Sequence, residues 1–80
     1  MTTPVKDLFV DARGHRCPVP TLRLRRQVER SFEGARIRLL ADDPLARIDV
    51  PHYVAQAGLE MIEMHDEGEV ISFLIRKPYP

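Results

Sequence analysis

The segment Asp11-Ala12-Arg13-Gly14-His15-Arg16-Cys17-Pro18-Val19-Pro20 sits between a short apolar run and an amphipathic one, and the elements on either side follow from it. Upstream, residues 7–12 (Asp-Leu-Phe-Val-Asp-Ala) are apolar and β-leaning, which predicts a first strand. Downstream, Pro18 suits the first turn of a helix, where a missing N–H has no intrahelical partner to lose. The spacing predicts that helix over 18–32. Leu24, Val28 and Phe32 share one face, with Thr21 between them, and Gly34 marks the stop.

The same punctuation continues outward. Residues 36–41 alternate in part and predict a second strand. Asp42-Asp43-Pro44 resembles a helix start, with aspartate as cap and proline just inside. Ala46, Val50, Val54 and Ala57 line one face of a helix over 44–57, which Pro51 is expected to kink or divide. Residues 59–65 and 70–76 predict two strands joined through Asp66-Glu67-Gly68-Glu69. In the last strand Ile71, Phe73 and Ile75 point one way, and Val70, Ser72 and Leu74 the other. The order β-α-β-α-β-β implies an α/β (α+β) two-layer sandwich: a four-stranded mixed sheet with two helices on one face. The other face is left for solvent or a partner.

Eighty residues predict one domain over 1–80 with a thin core. With 44% hydrophobic and 30% charged residues the composition is that of a folded domain. Twelve basic and twelve acidic side chains give zero net charge, and aromatics are few, so no direct nucleic-acid partner is expected. No apolar run approaches a membrane span, and residues 1–7 lack a signal-peptide core, so no membrane partner is expected and the compartment expected is cytoplasmic. His15, His52 and His65 show no metal-ligand spacing with Cys17, and no glycine-rich phosphate loop is present, so neither metal nor other cofactor is expected.

The chain has one cysteine. It cannot form an internal disulfide, so Cys17 is either buried filler packing beside the first helix or a working thiol. Its place at a strand-to-helix junction favours work. The positive end of a helix favours a thiolate, Arg13 and Arg16 add positive charge, and His15 adds more if protonated. Pro18 and Pro20 stiffen the turn, and Gly14 keeps bulk away. Such a thiolate attacks another sulfur. No oriented base and third group stand beside it for hydrolysis. Cys-Pro-x-Pro has no resolving partner for dithiol exchange. Sulfur transfer needs only one thiol.

Asp11 is read as structural, capping the Gly14 turn or holding Arg13 or Arg16. Arg23, Arg26 and Arg30 form a basic stripe leading away from Cys17, a solvated helix face or a docking face for an acidic partner. Leu22, on the polar side near the site, is an incidental surface leucine or a partner anchor.

The pattern Asp11-x-x-Gly14-x-x-Cys17-Pro18-x-Pro20 resembles the signature of the TusA/SirA-like sulfur-carrier family. The likeness extends to Ala41-Asp42-Asp43-Pro44, Asp49-Val50-Pro51 and Phe73-Leu74-Ile75-Arg76-Lys77. It implies the same sandwich, with Cys17 carrying sulfane sulfur as a persulfide. It also implies a cysteine desulfurase or rhodanese-like protein as donor and a downstream sulfur-relay protein as acceptor. The pathways implied are tRNA thiolation, molybdenum-cofactor biosynthesis or sulfur metabolism. The carrier is expected to be a monomer. The chain departs from the pattern after Pro20, where arginines interrupt an aliphatic run, and at Ile48. The competing reading is a non-catalytic regulatory or redox-sensing interaction module, with Cys17 a sensor at most.

Overall fold

The structure is a computed structural model, and it describes residues 7–79. Residues 1–6, which make up nearly all of the segment inspected for a signal peptide, and Pro80 lie outside the described residues. The elements are β1 (Leu8–Asp11), α1 (Val19–Arg30), β2 (Arg36–Ala41), α2 (Ala46–Gln56), β3 (Glu60–Asp66) and β4 (Ile71–Arg76). They form one sheet of order β1-β2-β4-β3 with both helices on one face, as the β-α-β-α-β-β order implies.

β1 pairs in parallel with β2, with Asp11 opposite Leu40, and β4 runs antiparallel to both β2 and β3. The carboxyl ends of β1, β2 and β3 therefore share one end of the sheet. This puts the loop after Asp11 beside the loop after Ala41, and the site is assembled there. β1 and β3 are the edges; β3 carries a register irregularity between Met61 and Glu63 and is exposed almost throughout.

The strand alternation supplies one layer of the core. Ile37, Leu39 and Ala41 of β2 and Ile71, Phe73 and Ile75 of β4 are buried. The helices supply the other layer through Pro20, Leu24 and Val28 of α1 and Ala46, Val50 and Val54 of α2. Each large apolar side chain buried this way contributes roughly 1.5–3 kcal/mol before entropy is counted.

Four local expectations are corrected. Phe32 is not on the core face of α1: the helix ends at Arg30, and the ring is 65% exposed. Lys77 explains the early stop, since its Nζ donates to the Val28 and Ser31 carbonyls at 3.1 and 3.0 Å, giving those acceptors a cationic cap. Ala57 is likewise exposed beyond the end of α2. Of the two outcomes expected at Pro51, division does not occur: α2 runs on through it, with Val50 and Val54 buried on either side. Asp43 does not cap α2: Leu45 holds the cap position, and Asp43 Oδ1 accepts the Leu45 N–H at 2.9 Å in a turn before the helix.

The face without helices is covered by its own ion pairs. Arg36 meets Asp7, Arg38 meets Glu63 and Arg76 meets Glu60, while Arg38 also donates to Ser72 Oγ. Leu74, on this face and in register with Arg38 and Glu63, is only 3% exposed. The stems of long charged side chains commonly cover apolar groups in this way.

Candidate functional site

The chain turns sharply out of β1. Gly14 has φ +83, a left-handed conformation that side chains disfavour, and nothing lies within 4 Å of where a Cβ would stand. The glycine therefore serves the backbone and not clearance around the sulfur, which corrects the expectation. The turn is held from across the sheet end. Gly14 N–H donates to both oxygens of Asp42 at 3.0 Å, and Cys17 N–H donates to Asp43 Oδ2 at 2.8 Å. The pair of aspartates after β2 thus anchors the loop after β1. Parallel pairing makes this contact between residues 26 to 28 positions apart in sequence.

Cys17 is half-buried and packs on the edge of the core. The Cys17–Pro18 peptide is cis. Pro18 occupies the cap position, not the first helical turn, and Pro20 is buried in that turn. Pro18 and Pro20 have no N–H, and the N–H groups of Val19 and Leu22 go to the carbonyls of Arg16 and Pro18 at 3.0 Å each.

The electrostatics correct the expectation of an ionised sulfur. Arg13 is turned away: its N, Nε and Nη2 donate to the Asp11 carboxylate at 3.1, 2.9 and 2.8 Å, holding Asp11 down to about 2. Asp11 therefore has the structural role read for it. Arg16 is exposed, and its charge acts on Asp43. The carboxylates nearest the sulfur, Asp49 of α2 and Asp43, oppose its ionisation. Burial first, then the charge of Asp49, then that of Asp43, and finally a hydrogen bond with Asp49 push the Cys17 thiol up to about 11. The resting group is a thiol.

Beside it a cleft is lined by Gly14, His15, Arg16, Asp42, Asp43 and Pro44. On the outer side of α1, Leu22 is 53% exposed in a shallow groove with Val19, Arg23, Arg25, Arg26 and Glu29. Arg23, Arg26 and Arg30 line a different groove, between α1 and the free edge of β1, with Phe9 and Gln27. Arg23 is partly engaged there, donating to the Asp11 carbonyl at 3.1 Å. The stripe is thus set apart from the cysteine cleft. Sequence reasoning missed Asp43 and Asp49 as groups acting on the sulfur. The signal for Asp43 was topological: in a parallel pair, the loop after β2 must lie beside the loop after β1. Among the described residues no cluster of metal-ligating side chains occurs, and no helix is long and apolar enough to cross a membrane.

Comparison with known proteins places this geometry. Residues 8–77 match the family model described as Sulfurtransferase TusA. A sulfur carrier protein TusA from Pseudomonas paraeruginosa is 35% identical over 77 residues, covering 96% of each chain. A putative sulfur carrier protein from Archaeoglobus fulgidus is 40% identical over 68 residues, covering 84% of this chain and 88% of its own. The crystal structure of a SirA-like protein from Desulfitobacterium hafniense superposes with a TM-score of 0.78 at 22% identity, over 90% of this chain and 99% of that one, a likeness of fold. The family signature read around a lone cysteine, the sandwich that carries it and the match along nearly the whole chain agree: the protein belongs to the TusA/SirA-like sulfurtransferase family and is a sulfur carrier.

Proposed function

We propose that Cys17 is the atom-carrying residue, and that residues 1–80 act as a single carrier domain, monomeric and cytoplasmic, between a sulfur donor and a relay protein. The observation that carries this reading is the half-buried Cys17 thiol, the chain's one cysteine, held in a loop anchored by Asp42 and Asp43. A partly exposed thiol on a fixed backbone can meet a partner's sulfur without rearranging the core. In loading, Cys17 Sγ forms a bond to the outer sulfur of a donor persulfide as the donor's S–S bond breaks. The thiol proton ends on the donor's departing sulfur, so Cys17–SH and R–S–SH become Cys17–S–SH and R–SH with no net oxidation. Discharge is the same exchange with an acceptor thiol. Asp11, Gly14, Pro18 and Pro20 set the loop and take no part in bond making.

A cysteine desulfurase or a rhodanese-like protein is the fitting donor class, and a sulfur-relay protein serving tRNA thiolation, molybdenum-cofactor biosynthesis or sulfur metabolism the fitting acceptor. Intact-mass analysis after incubation with a desulfurase and cysteine tests the assignment. Wild type is expected to gain one sulfur and Cys17→Ser none. Wild type that takes up no sulfur from desulfurase, rhodanese or polysulfide would overturn it.

A further inference from the structure

The free edge of the sheet beside α1 has a chemistry that no step at Cys17 uses. β1 is an edge strand, and Ala12 N–H, donating to the Leu40 carbonyl at 2.8 Å, fixes which of its groups face β2. In a parallel ladder the N–H and C=O of one residue point to the same side, and the side alternates along the strand. Val10 and Ala12 therefore serve β2, while the backbone groups of Phe9 and Asp11 face outward. The Asp11 carbonyl agrees, since it accepts Arg23 Nη1 from α1 at 3.1 Å. Phe9 N–H, Phe9 C=O and Asp11 N–H are left at the edge. β1 keeps a regular register, whereas β3, the other edge, is irregular between Met61 and Glu63, a common way of blunting an edge. Alongside β1, Arg23, Arg26 and Arg30 line a groove with Phe9. Among the described residues neither Arg26 nor Arg30 enters an ion pair. The row from Arg23 to Arg30 spans about 10 Å of helix axis. Side chains on one face of a strand stand about 6.7 Å apart, so two at alternate positions match the row. Phe9 belongs to the other face: it is in register with Arg38 and 60% exposed, while Leu8 and Val10 pack against the core.

We propose that the edge of β1 docks an extended acidic segment of a partner protein, added to the sheet as a further strand, with acidic side chains toward α1 and apolar ones on the side of Phe9. The backbone groups of Phe9 and Asp11 pair with the segment's main chain, and Arg26 and Arg30 select carboxylates on its alternate residues. A second copy of the chain does not fit. Antiparallel pairing of β1 with its own copy about a two-fold axis sets two rows of arginines against each other on one face. The acidic side chains of β3 are no substitute, because Glu60, Glu63 and Asp66 are committed to Arg76, Arg38 and Arg47. A nucleic acid would use the arginines but leave the edge N–H and C=O groups of β1 unpaired. The groove is set apart from the cysteine cleft, so its occupancy is independent of whether Cys17 carries sulfur, and a segment held there leaves that cleft open.

A capped peptide of alternating glutamate and valine tests this, titrated at low salt into the isotope-labelled full chain while amide spectra and hydrogen exchange are recorded. Binding should shift the Phe9 and Asp11 amides and slow the exchange of both, while the Val10 and Ala12 amides, already facing β2, change little. A peptide of the same composition with its glutamates clustered should bind more weakly. In the double variant Arg26→Glu with Arg30→Glu the alternating peptide should lose about 10-fold in affinity, and added salt should weaken its binding to wild type. No binding at millimolar peptide overturns the proposal, as does binding that leaves the Phe9 amide unprotected. So does a clustered peptide that binds equally well, an affinity unchanged in the double variant, or a single-stranded RNA of equal charge that binds the groove more tightly than the peptide. Both arginines are exposed, so the variant is expected to fold; should it not, the wild-type titrations still decide. Sulfur uptake by mass is a separate readout: a chain that loads normally but whose β1 edge gains no protection defeats this proposal alone, and one that docks the peptide but takes up no sulfur defeats only the carrier assignment.

Discussion

Both carboxylate oxygens of Asp42 reach one backbone amide, that of Gly14, across the end of the sheet. Such a bond to a charged acceptor normally contributes more than one between neutral groups, and exposure reduces it. Asp42→Ala is expected to cost about 1 kcal/mol of stability by urea unfolding and to speed hydrogen exchange at the Gly14 amide. An unchanged Gly14 exchange rate would contradict the anchoring role. The location of the site was legible at this scale, because a glycine, a lone cysteine and two prolines bracket a strand-to-helix turn within Asp11 to Pro20. Its electrostatics were not. Arg13 and Arg16 lie next to Cys17 in sequence and suggested a thiolate, but Arg13 folds back two residues onto Asp11, and the carboxylates that act on the sulfur come from Asp43 and Asp49. Proximity along the chain measures neither direction nor distance once a side chain has a nearer partner.

Among the elements, α2 carries a clear conflict between local preference and packing. Pro51 cannot donate to the Arg47 carbonyl, a loss that disfavours helix by several kcal/mol in isolation, yet the helix runs unbroken through it. Burial of Ala46, Val50 and Val54 against the sheet outweighs that loss. Pro51→Ala should therefore keep the fold and raise the thermal midpoint, by the equivalent of about 1 kcal/mol. A lowered midpoint would show that the ring's packing matters more than the lost donor. At the end of α1, Lys77→Met should destabilise by about 1 kcal/mol through loss of the bonds to Val28 and Ser31, read as earlier thermal unfolding. An unchanged midpoint would remove Lys77 as a cap. The strands and helix cores were legible because alternation and 3.6-residue spacing are local properties. The end of α1 was misjudged at Phe32 because it depends on what arrives from elsewhere, here Lys77 from beyond β4.

For the molecule as a whole, ionisation sets limits at both ends of the pH scale. Asp7, Asp11, Asp43 and Asp66 all titrate below the ordinary carboxylate value, each held mainly by hydrogen bonds: from Arg36, from Arg13, from the Leu45 and Cys17 amides, and from Arg47 respectively. The unfolded chain therefore binds protons first, so this stabilisation is complete above about pH 4 and lost as pH falls, for Asp11 down to about 2. Cys17 works in the opposite window. Its thiol ionises near 9.0 ordinarily and near 11 when folded, so stability declines as pH rises from 9 to 11. Tyr53, raised mainly by burial, adds to an alkaline decline that every variant shares. Urea titrations across pH 8 to 11 should show wild type losing stability more steeply than Cys17→Ser; parallel curves would place the sulfur in a more open setting.

The anchoring of Cys17 by residues 26 to 28 positions away has a practical consequence. Asp42 and Asp43 hold the cysteine loop only while β1 and β2 lie side by side, so a molecule that opens, even briefly, exposes an ordinary cysteine. Labelling at neutral pH would then accelerate as denaturant raises the open fraction, and the increment over the closed molecule's own rate makes the lone thiol a native clock for the breathing of its domain.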